Sequence, residues 1–394
     1  MRVAVALTTL HDIAVSRPAD VWRAQRADLA NLGEQARLRS LRRRAGIDFA
    51  SNDYLGLSSA PRMARAVEAA ISRGVPLGSG GSRLLRGNDP EHEALEAEAA
   101  AFFGAESALF FSTGFAANAA LIATLPQRGD LVVHDELIHA SIHEGLRLTR
   151  AEARVAPHND AQGFADAIAV WRAKGGRGRV WLTFESLYSM DGDRAPIEDL
   201  VAVAERHDAV MLIDEAHTTG IFGPDGRGLA AHLDGREDTV SLRTCGKALG
   251  CEGALVMAPR IVRDHLVNRA RGFIFSTAPS PLIAAAVREA LRILADEPGR
   301  RERLMELVDH AARAFVPIGT APTGSQIVPV MIGEDARTMA VAALLQAEGF
   351  DVRGIRPPTV PAGSSRLRVS LTLNATPSDV DALAAALAQA LSRA

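Results

Sequence analysis

The chain of 394 residues lacks the features that mark secreted, membrane-spanning or nucleic-acid-binding proteins. It contains only two cysteines, Cys245 and Cys251, too few for a disulfide framework, so we expect a protein of the reducing cytoplasm. Its net charge of -3 provides no basic field for a nucleic acid or an anionic membrane. No apolar run approaches the roughly 18 residues that a spanning helix needs. Its content of 47% apolar and 23% charged residues excludes intrinsic disorder.

The N-terminal part of the chain contains no strong targeting signal. It begins with MRVAVALTTLHDIAV, whose short apolar stretch is interrupted and precedes no clean small-x-small cleavage site. We therefore expect no signal peptide. Residues 20–45 are rich in Arg and Ala with apolar residues at helical spacing, which predicts a surface helix. A short strand is predicted after it at Ile47–Ala50.

Helices alternate with short, nearly all-apolar strands from about residue 90 to residue 280. The predicted helices are Glu91–Phe103, Phe115–Leu125, Ser141–Thr149 and Ile197–His207. The predicted strands are Ser107–Phe111, Leu131–His134, Val180–Phe184, Ala209–Ile213, Val240–Thr244 and Ala254–Ala258. Such strands are typical of a sheet that is buried on both faces. The pattern predicts an α/β fold with a mostly parallel central sheet between helices.

The alternation weakens after residue 280, where a long helix is predicted at Pro281–Ala295. Further helices are predicted at Glu302–Phe315, Ala336–Glu348 and Pro377–Leu391, and strands at Gln326–Met331, Asp351–Arg353 and Ser365–Leu371. Helices that separate from short strands favour a smaller α+β domain. We therefore divide the chain into an N-terminal helical segment (1–45), a large α/β domain (46–280) and a small C-terminal α+β domain (281–394).

Several chemically versatile residues directly follow the predicted strands. Asp214-Glu215-Ala216-His217 follows one strand and Thr244-Cys245-Gly246-Lys247 follows another. Ser112-Thr113-Gly114-Phe115 leads from a third strand into a helix, while His139 and Ser189 follow two more. Ligands of open α/β sheets bind outside the carboxyl ends of the strands. We therefore expect these residues to converge at one edge of the sheet.

The string Asp-Glu-Ala-His also spells the DEAH box of a helicase, in which an acid after a strand holds Mg²⁺. That interpretation needs an upstream G-x-x-x-x-G-K-[ST] loop to bind phosphate. The only candidate, CGKALG, comes after the acid, has Ala after the Lys and lacks the leading Gly. A nucleotide triphosphatase is therefore disfavoured.

A metal site and a serine hydrolase are disfavoured in the same way. His139 and His143 are four residues apart and can share a helix face, but the Glu of H-E-x-x-H is absent and no third ligand is indicated. No G-x-S-x-G sequence occurs, so the nucleophile turn of an α/β-hydrolase is missing. We expect no metal site.

The requirements of pyridoxal phosphate fit this set of residues. That cofactor needs a lysine for a Schiff base, an acid facing the pyridine nitrogen, an anion cradle and a group that holds the ring flat. Lys247 and Asp214 can supply the first two, and the Gly114–Phe115 helix start can bind the phosphate. The remaining candidates are hydroxyl donors to the phosphate (Thr244 and Ser112 or Thr113), His217 for the phenolic oxygen and His139 for stacking on the ring. Each residue alone has an ordinary structural explanation, and only their joint arrangement favours the cofactor.

At this level of detail the chain resembles the α-oxoamine synthases, which are pyridoxal phosphate enzymes of fold type I. The motifs that carry the resemblance are SNDYLGL (51–57), GSGGSRLLRGN (78–88), STGFAAN (112–118), HAS (139–141), SMDGD (189–193), DEAHTTG (214–220), TCGKALG (244–250), FSTAPSP (275–281) and IRPPTVPAGSSRLRVSL (355–371). They run in order from about residue 48 to the C-terminus. The glycine-rich loop and IRPPTVP most resemble the biotin-pathway branch of the family.

The resemblance implies a decarboxylative Claisen condensation of L-alanine with a pimeloyl thioester, carried by CoA or by acyl carrier protein. It also implies a cytoplasmic homodimer with shared active sites and no nucleic-acid or membrane partner. Three alternatives remain open. A sister synthase would use glycine or another amino acid with a different acyl-CoA, a relative without activity would be a binding or regulatory module, and a DEAH-type protein would bind ATP.

Individual roles follow from the matched motifs. The resemblance implies that Lys247 forms the Schiff base, that Asp214 pairs with the pyridine nitrogen, and that His217 and Ser189 contact the phenolic oxygen. His139 would stack on the ring, and Gly114, Phe115 and Thr244 would bind the phosphate. Ser276 or Thr277 would reach the phosphate of the neighbouring subunit, Arg368 would hold the amino-acid carboxylate, and Thr359 would contact substrate.

The chain departs from the family at three places. Cys245 and Cys251 flank the lysine segment, and FESLYSMDGD replaces the expected TES-x-FSMDGD. The segment before the first strand, where the family has an arginine for the acyl carboxylate, is abbreviated. We assign that role to Arg37, with Arg39 as the next candidate.

Overall fold

A computed structural model describes residues 20–394 as a succession of helices and strands. The strands are β1 (Ile47–Asp48), β2 (Ser107–Phe111), β3 (Leu131–Asp135), β4 (Glu152–Ala156), β5 (Val180–Glu185), β6 (Val210–Asp214), β7 (Thr239–Thr244), β8 (Ala254–Ala258), β9 (Ile327–Gly333), β10 (Phe350–Asp351), β11 (Arg353–Ile355) and β12 (Ser365–Ser370). The helices are α1 (Arg23–Glu34), α2 (Pro61–Ser72), α3 (Pro90–Phe103), α4 (Gly114–Thr124), α5 (Ala140–Leu148), α6 (Ala161–Ala173), α7 (Ile197–His207), α8 (Arg260–Arg269), α9 (Arg271–Ile274), α10 (Pro281–Asp296), α11 (Gly299–Phe315), α12 (Asp335–Ala347) and α13 (Pro377–Arg393).

The larger sheet has seven strands in the order β2-β8-β7-β6-β5-β3-β4. Only β8 runs antiparallel to its neighbours, and all other pairs in this sheet are parallel. Alternate residues of β2 enter different cores, since Phe110 packs with α3 while Leu109 and Phe111 pack with α4. Helices therefore cover both faces, and the predicted α/β fold with a mostly parallel sheet is confirmed.

The C-terminal part of the chain builds a second, smaller sheet. Its three antiparallel strands have the order β11-β12-β9, and β1 pairs with β10 in a separate parallel ladder. Helices α11, α12 and α13 pack on these strands around their own apolar cluster, which also includes Phe49. A chain segment from before the large sheet thus completes the C-terminal core. The three-part division of the chain stays a prediction.

Local sequence explains where the helices begin and end, as α3 shows. Asp89 caps the first turn by accepting a hydrogen bond from the Glu91 N–H at 2.9 Å, and Pro90 occupies the first helical position. The helix stops at Gly104, whose φ of 79° is a left-handed conformation that glycine adopts without a steric penalty.

Some elements differ from the sequence predictions. Helix α1 ends at Glu34 rather than near residue 45, because the chain turns at Ala36 and the N–H groups of Arg37 and Leu38 bond back to the carbonyl of Leu32. Strand β4 and helices α6 and α8 were not predicted. Strand β4 is an edge strand with mostly exposed positions, so it lacks the apolar run that marks the central strands. No helix within residues 20–394 is long and apolar enough to cross a membrane.

Candidate active site

The carboxyl ends of the central strands place their polar residues together at one edge of the large sheet. Strand β6 ends at Asp214, and β5 ends at Glu185, which is its register partner. The neighbouring β7 ends at Thr244, three residues before Lys247. Because these strands are parallel, the acid and the lysine approach the same edge, as the sequence predicts.

The Lys247 amine is held by a histidine. Its Nζ lies 2.8 Å from Nε2 of His217, and Nδ1 of His217 lies 2.7 Å from the hydroxyl of Tyr54. The chain has only one other lysine, Lys174, which lies exposed at the end of α6. Lys247 is therefore the only amine side chain in the protein that can serve this edge of the sheet.

Burial brings the pKa of the Lys247 amine closer to neutral pH. Desolvation lowers its pKa to about 8, although the negative charge of Asp214 acts in the opposite direction. Burial also lowers the pKa of His217 far below its usual value, and the nearby charges of Lys247 and Arg368 lower it further. His217 is thus a neutral imidazole, and a substantial fraction of Lys247 is a neutral amine at mildly alkaline pH.

Asp214 is fixed by two donors. Its Oδ2 accepts a hydrogen bond from the side-chain amide of Asn118 at 2.7 Å, and its Oδ1 accepts one from the N–H of Ala216 at 2.9 Å. The same Asn118 amide donates to Ser141 Oγ at 3.0 Å, and that hydroxyl lies 2.8 Å from Nδ1 of His139. A single chain of contacts therefore joins the buried carboxylate to the histidine that the sequence assigns to stacking.

The start of α4, which the sequence predicts to be an anion cradle, has free N–H groups next to a hydroxyl. Thr113 caps the helix by accepting a hydrogen bond from Ala116 N–H at 3.0 Å, which leaves the earlier N–H groups of Gly114 and Phe115 available. A Cβ atom at Gly114 would lie 3.5 Å from the Thr244 hydroxyl, so the two residues are adjacent. The helix dipole and these donors suit a phosphate.

Arg368 approaches the same region from the smaller sheet, where it lies on β12. Its Nε donates to the carbonyl of Ser189 at 2.6 Å, and its Nη2 donates to the Tyr54 hydroxyl at 3.3 Å. Its Nη1 donates to Asn52 Oδ1 at 3.1 Å and to Ser370 Oγ at 2.7 Å. These contacts hold a guanidinium beside the Lys247–His217 pair, where it can bind a carboxylate.

A cavity of about 780 Å³ is lined in part by Ser189, whose carbonyl accepts the hydrogen bond from Arg368, but its lining includes neither Lys247 nor Asp214. Its lining includes three residues that the sequence singles out, namely His139, Ser189 and Thr359. Arg366, which pairs with Asp191 in the SMDGD motif, lies on the same wall. The cavity is therefore bounded by both the large sheet and the C-terminal part of the chain.

The remaining predicted residues lie farther out. Arg37 pairs with Asp335 at 2.6 Å and lines a different cavity of about 610 Å³. Arg39 reaches Thr359, with 3.5 Å between its Nη2 and the threonine Oγ1. The segment that holds Ser276 and Thr277 is fastened to the glycine-rich loop through Ala278 N–H and the Gly81 carbonyl at 2.9 Å, and Thr277 is exposed. The structure thus brings neither Arg37 nor Thr277 to the lysine within one chain.

Sequence reasoning missed several residues of the site. Tyr54 and Asn118 stand inside motifs that were singled out, SNDYLGL and STGFAAN, but their side chains had no assigned role. His158 was not noticed at all, and it lies between the carboxylates of Asp135 and Asp193 at 2.8 Å from each. The only sequence signal for these three residues was that they are polar and lie near strand ends or within the matched motifs. Among residues 20–394, no group of three or more His, Cys, Asp or Glu side chains is arranged so that it could hold a metal ion.

Comparison with solved structures defines the class of fold. Serine palmitoyltransferase from Sphingomonas wittichii superposes with a TM-score of 0.85 at 27% identity, covering 94% of this chain and 98% of that chain. The 8-amino-7-oxononanoate synthase of Francisella tularensis superposes with a TM-score of 0.74 at 26% identity, covering 88% of this chain and 98% of that chain. The fold is that of the pyridoxal-phosphate-dependent fold type I enzymes.

The family follows from the sequence comparisons. The model of the aminotransferase class I and II family matches residues 44–387, and the chain belongs to this family. It is 44% identical over 353 residues to the 8-amino-7-oxononanoate synthase of Anaeromyxobacter dehalogenans, covering 88% of this chain and 87% of that protein. It is 40% identical over 377 residues to the protein of the same name from a Mycobacterium species, covering 93% of this chain and 97% of that protein.

Proposed function

We propose that the protein condenses L-alanine with a pimeloyl thioester, with loss of CO₂, to form 8-amino-7-oxononanoate in biotin biosynthesis. The relatives that carry the name of this activity match most of the chain at 40% to 44% identity. The observation that carries the proposal is the placement of Lys247. Its amine contacts a neutral histidine at 2.8 Å and has a pKa of about 8, at the sheet edge that also holds Asp214.

Pyridoxal phosphate is the cofactor that fits these residues. When bound, it supplies a carbonyl carbon for an amino group and a ring that accepts the electron pair released at the α-carbon. Lys247 would hold it covalently, Asp214 would keep its ring nitrogen protonated, and Gly114 with Thr244 would bind its phosphate. The Asn118 and Ala216 donors on Asp214 support this role, because they fix a buried carboxylate without neutralising its charge.

The chain's own groups can direct the proton transfers. Arg368 binds the carboxylate of alanine and thereby orients its Cα–H bond. The Lys247 amine, once displaced by alanine, removes that proton as a general base. The α-carbon then forms a bond to the acyl carbon, the thiol carrier leaves, the carboxylate departs as CO₂ and a proton returns to the α-carbon.

The cavity beside His139, Ser189 and Thr359 supports the binding of an acyl chain. Its volume of about 780 Å³ lies in the range of small-molecule sites. Arg39 contacts Thr359 at 3.5 Å, whereas Arg37 is paired with Asp335. These contacts support Arg39 over Arg37 as the partner of the terminal pimeloyl carboxylate.

A homodimer with shared active sites is supported by exposed apolar residues on the start of α4, around the glycine-rich loop and on the segment before Thr277. Leu77, Leu85, Phe115 and Phe275 have exposed fractions of 79%, 83%, 49% and 70%. Phe115 belongs to the cradle, and Phe275 lies two residues before Thr277. A second copy that covers these side chains would bring its Thr277 towards this chain's phosphate site. The two free thiols, of which Cys245 is buried, agree with a reducing cytoplasm.

The proposal is tested by supplying the purified holoenzyme with alanine or glycine, each in combination with pimeloyl-CoA, pimeloyl-acyl carrier protein or acetyl-CoA. Mass spectrometry should find 8-amino-7-oxononanoate with alanine and at least one of the two pimeloyl thioesters. Product formed only from glycine and acetyl-CoA would instead identify a sister α-oxoamine synthase. A protein that binds no pyridoxal phosphate and forms no product would be a binding module.

A further inference from the structure

Tyr54 is a buried phenol in direct contact with the site's central histidine. Its hydroxyl lies 2.7 Å from His217 Nδ1, on the side of the imidazole opposite to the nitrogen that contacts Lys247. The tyrosine has no exposed surface. The chain contains only one other tyrosine, Tyr188, whose buried hydroxyl has no hydrogen-bond partner among residues 20–394. Tyr54 is thus the one tyrosine that is built into a polar network.

The neighbours of Tyr54 limit what its hydroxyl can do. Arg368 Nη2 lies 3.3 Å away and can only donate, whereas Asn52 Oδ1 lies 2.9 Å away and accepts. Asn52 Oδ1 also accepts a hydrogen bond from Arg368 Nη1 at 3.1 Å, as only the oxygen of the amide can. The phenol therefore receives a hydrogen bond from Arg368, and the side chain of Gln326 is a further polar neighbour that acts on it. Its single proton goes either to Asn52 or to His217.

Each choice fixes a different tautomer of His217. If Tyr54 donates to Asn52, His217 carries its proton on Nδ1 and Nε2 accepts a hydrogen bond from Lys247. If Tyr54 donates to His217, the imidazole carries its proton on Nε2 and can only donate to a neutral Lys247 amine. The direction in which the Tyr54 hydroxyl donates its proton therefore determines whether Lys247 donates a hydrogen bond to His217 or accepts one from it.

We propose that Tyr54 is a positioning residue: its hydroxyl sets the tautomer of His217 and links the carboxylate-binding Arg368 to the protonation of Lys247. A carboxylate that binds Arg368 competes with Tyr54 and Asn52 for its donors, so substrate binding alters the network that ends at the lysine. The effect on turnover rests on the proposed function, whereas the tautomer of His217 does not. Tyr54 itself stays neutral, because burial raises its pKa.

The charges that face this network come from several elements. Lys247 and Arg368 act on His217 together with His139, while Asp214 and Glu185 act on Lys247. His217 is also anchored through its main chain, since Gln326 Nε2 donates to its carbonyl at 2.7 Å. The backbone of His217 therefore stays fixed when only a side-chain contact is removed, which makes single substitutions at Tyr54 informative.

The test is ¹⁵N NMR of the full-length chain with labelled histidines, assigned among its 11 histidines with a His217→Asn variant. The spectra are recorded at about pH 9.5, where Lys247, with its pKa of about 8, is mainly neutral. In the wild type we expect the Nδ1–H tautomer. Tyr54→Phe leaves a buried Nδ1–H without an acceptor. We therefore expect the ratio of Nε2–H to Nδ1–H tautomer of His217 to rise about tenfold.

Asn52→Ala provides a second variant that keeps the phenol. With Asn52 removed, His217 Nδ1 at 2.7 Å is the acceptor that stays in hydrogen-bond contact with the Tyr54 hydroxyl, and the ratio of Nε2–H to Nδ1–H tautomer should again rise. Tyr188→Phe is the matched control and should leave the His217 resonances unchanged. The proposal is overturned if His217 keeps its wild-type tautomer in both the Tyr54→Phe and the Asn52→Ala proteins.

The holoenzyme gives an independent readout. In Tyr54→Phe the pH midpoint of kcat at saturating alanine should move by about one pH unit, because Lys247 is a free amine only after alanine has displaced it and a lost buried hydrogen bond is worth about a tenfold change in a protonation equilibrium. An unchanged midpoint would contradict the link to Lys247. Absence of product in the wild type would instead contradict the proposed function, while the NMR result would still decide the role of Tyr54.

Discussion

The side-chain amide of Asn118 donates a hydrogen bond of 2.7 Å to Oδ2 of Asp214, and both residues are buried. This contact fixes the carboxylate that would face the ring nitrogen of the cofactor. Asn118 lies on α4, the helix whose first turn forms the anion cradle. This helix thus carries Gly114, which is proposed to bind the phosphate, and Asn118, which holds the acid proposed for the other end of the cofactor.

Replacement of Asn118 should therefore damage the site without unfolding the protein. Asn118→Ala leaves one carboxylate oxygen of Asp214 without its donor, and hydrogen bonds to charged groups contribute about 1.5–3 kcal/mol. We expect kcat/KM to fall roughly tenfold to a hundredfold, measured with alanine and the pimeloyl thioester. Asn31→Ala on the exposed helix α1 is the control. Wild-type kinetics in the Asn118 variant would show that Asp214 needs no such support.

Lys247 should be the only site of covalent cofactor attachment. After borohydride reduction of the holoenzyme, peptide mass spectrometry should find the pyridoxyl group on Lys247 and not on Lys174. Lys247→Ala should abolish both the label and turnover, because no other amine side chain lies near Asp214. Lys174→Arg is the matched control and should retain both. A label that persists in the Lys247→Ala protein would refute the assignment.

The sequence predicted the part of this site that is built from residues following the central strands. The C-terminal edge of the sheet could be inferred because buried parallel strands are recognisable in the sequence as apolar runs. Asp214 and Lys247 come shortly after two of these runs. Strand β4 was not predicted because an edge strand carries exposed charged residues, which here are Glu152 and Arg154.

Contacts between distant segments could not be inferred in this way. Tyr54 and His217 are 163 residues apart, and their contact depends on how the connector after β1 packs against the large sheet. The ion pair of Arg37 could not be predicted for the same reason, since its partner Asp335 lies on a helix almost 300 residues later in the chain. The sequence alone therefore does not show that Arg37, rather than a neighbouring arginine, forms an ion pair with this acid.

The pH dependence of cofactor attachment should follow the protonation of Lys247. Its amine reacts only when neutral, and its pKa is lowered to about 8 by burial. The rate at which the cofactor-free protein takes up pyridoxal phosphate should rise about tenfold per pH unit below pH 8 and level off above it. Stopped-flow absorbance measures this rate. A midpoint near the ordinary lysine value would show that the amine is solvated.

His158 should contribute stability that disappears at high pH. Burial alone would lower its pKa, but the flanking carboxylates of Asp135 and Asp193 raise it to about 10. Because the folded pKa lies above the unfolded value, this stabilisation is complete below about pH 6.5 and is lost as the pH rises through about 10.

The corresponding variant is His158→Gln, which removes the positive charge between two acids. Its free energy of unfolding in urea should be lower by about 2 kcal/mol at pH 6.5, and the difference from wild type should shrink towards pH 10. His232→Gln, whose ion pair with Glu198 is exposed, is the control. A difference that does not vary with pH would mean that His158 acts through packing alone.

The exposed apolar residues Leu85, on the glycine-rich loop, and Phe275, just before Thr277, should hold two copies of the chain together. Leu85 and Phe275 are 83% and 70% exposed in the single chain, and burial of a large apolar side chain contributes about 1.5–3 kcal/mol. Leu85→Glu and Phe275→Glu should therefore raise the dimer dissociation constant at least about tenfold each, measured by analytical ultracentrifugation. Val170→Glu on α6, where the valine is also exposed at 47%, should leave it unchanged. Dimers of equal strength in all three variants would place the interface on another face of the molecule.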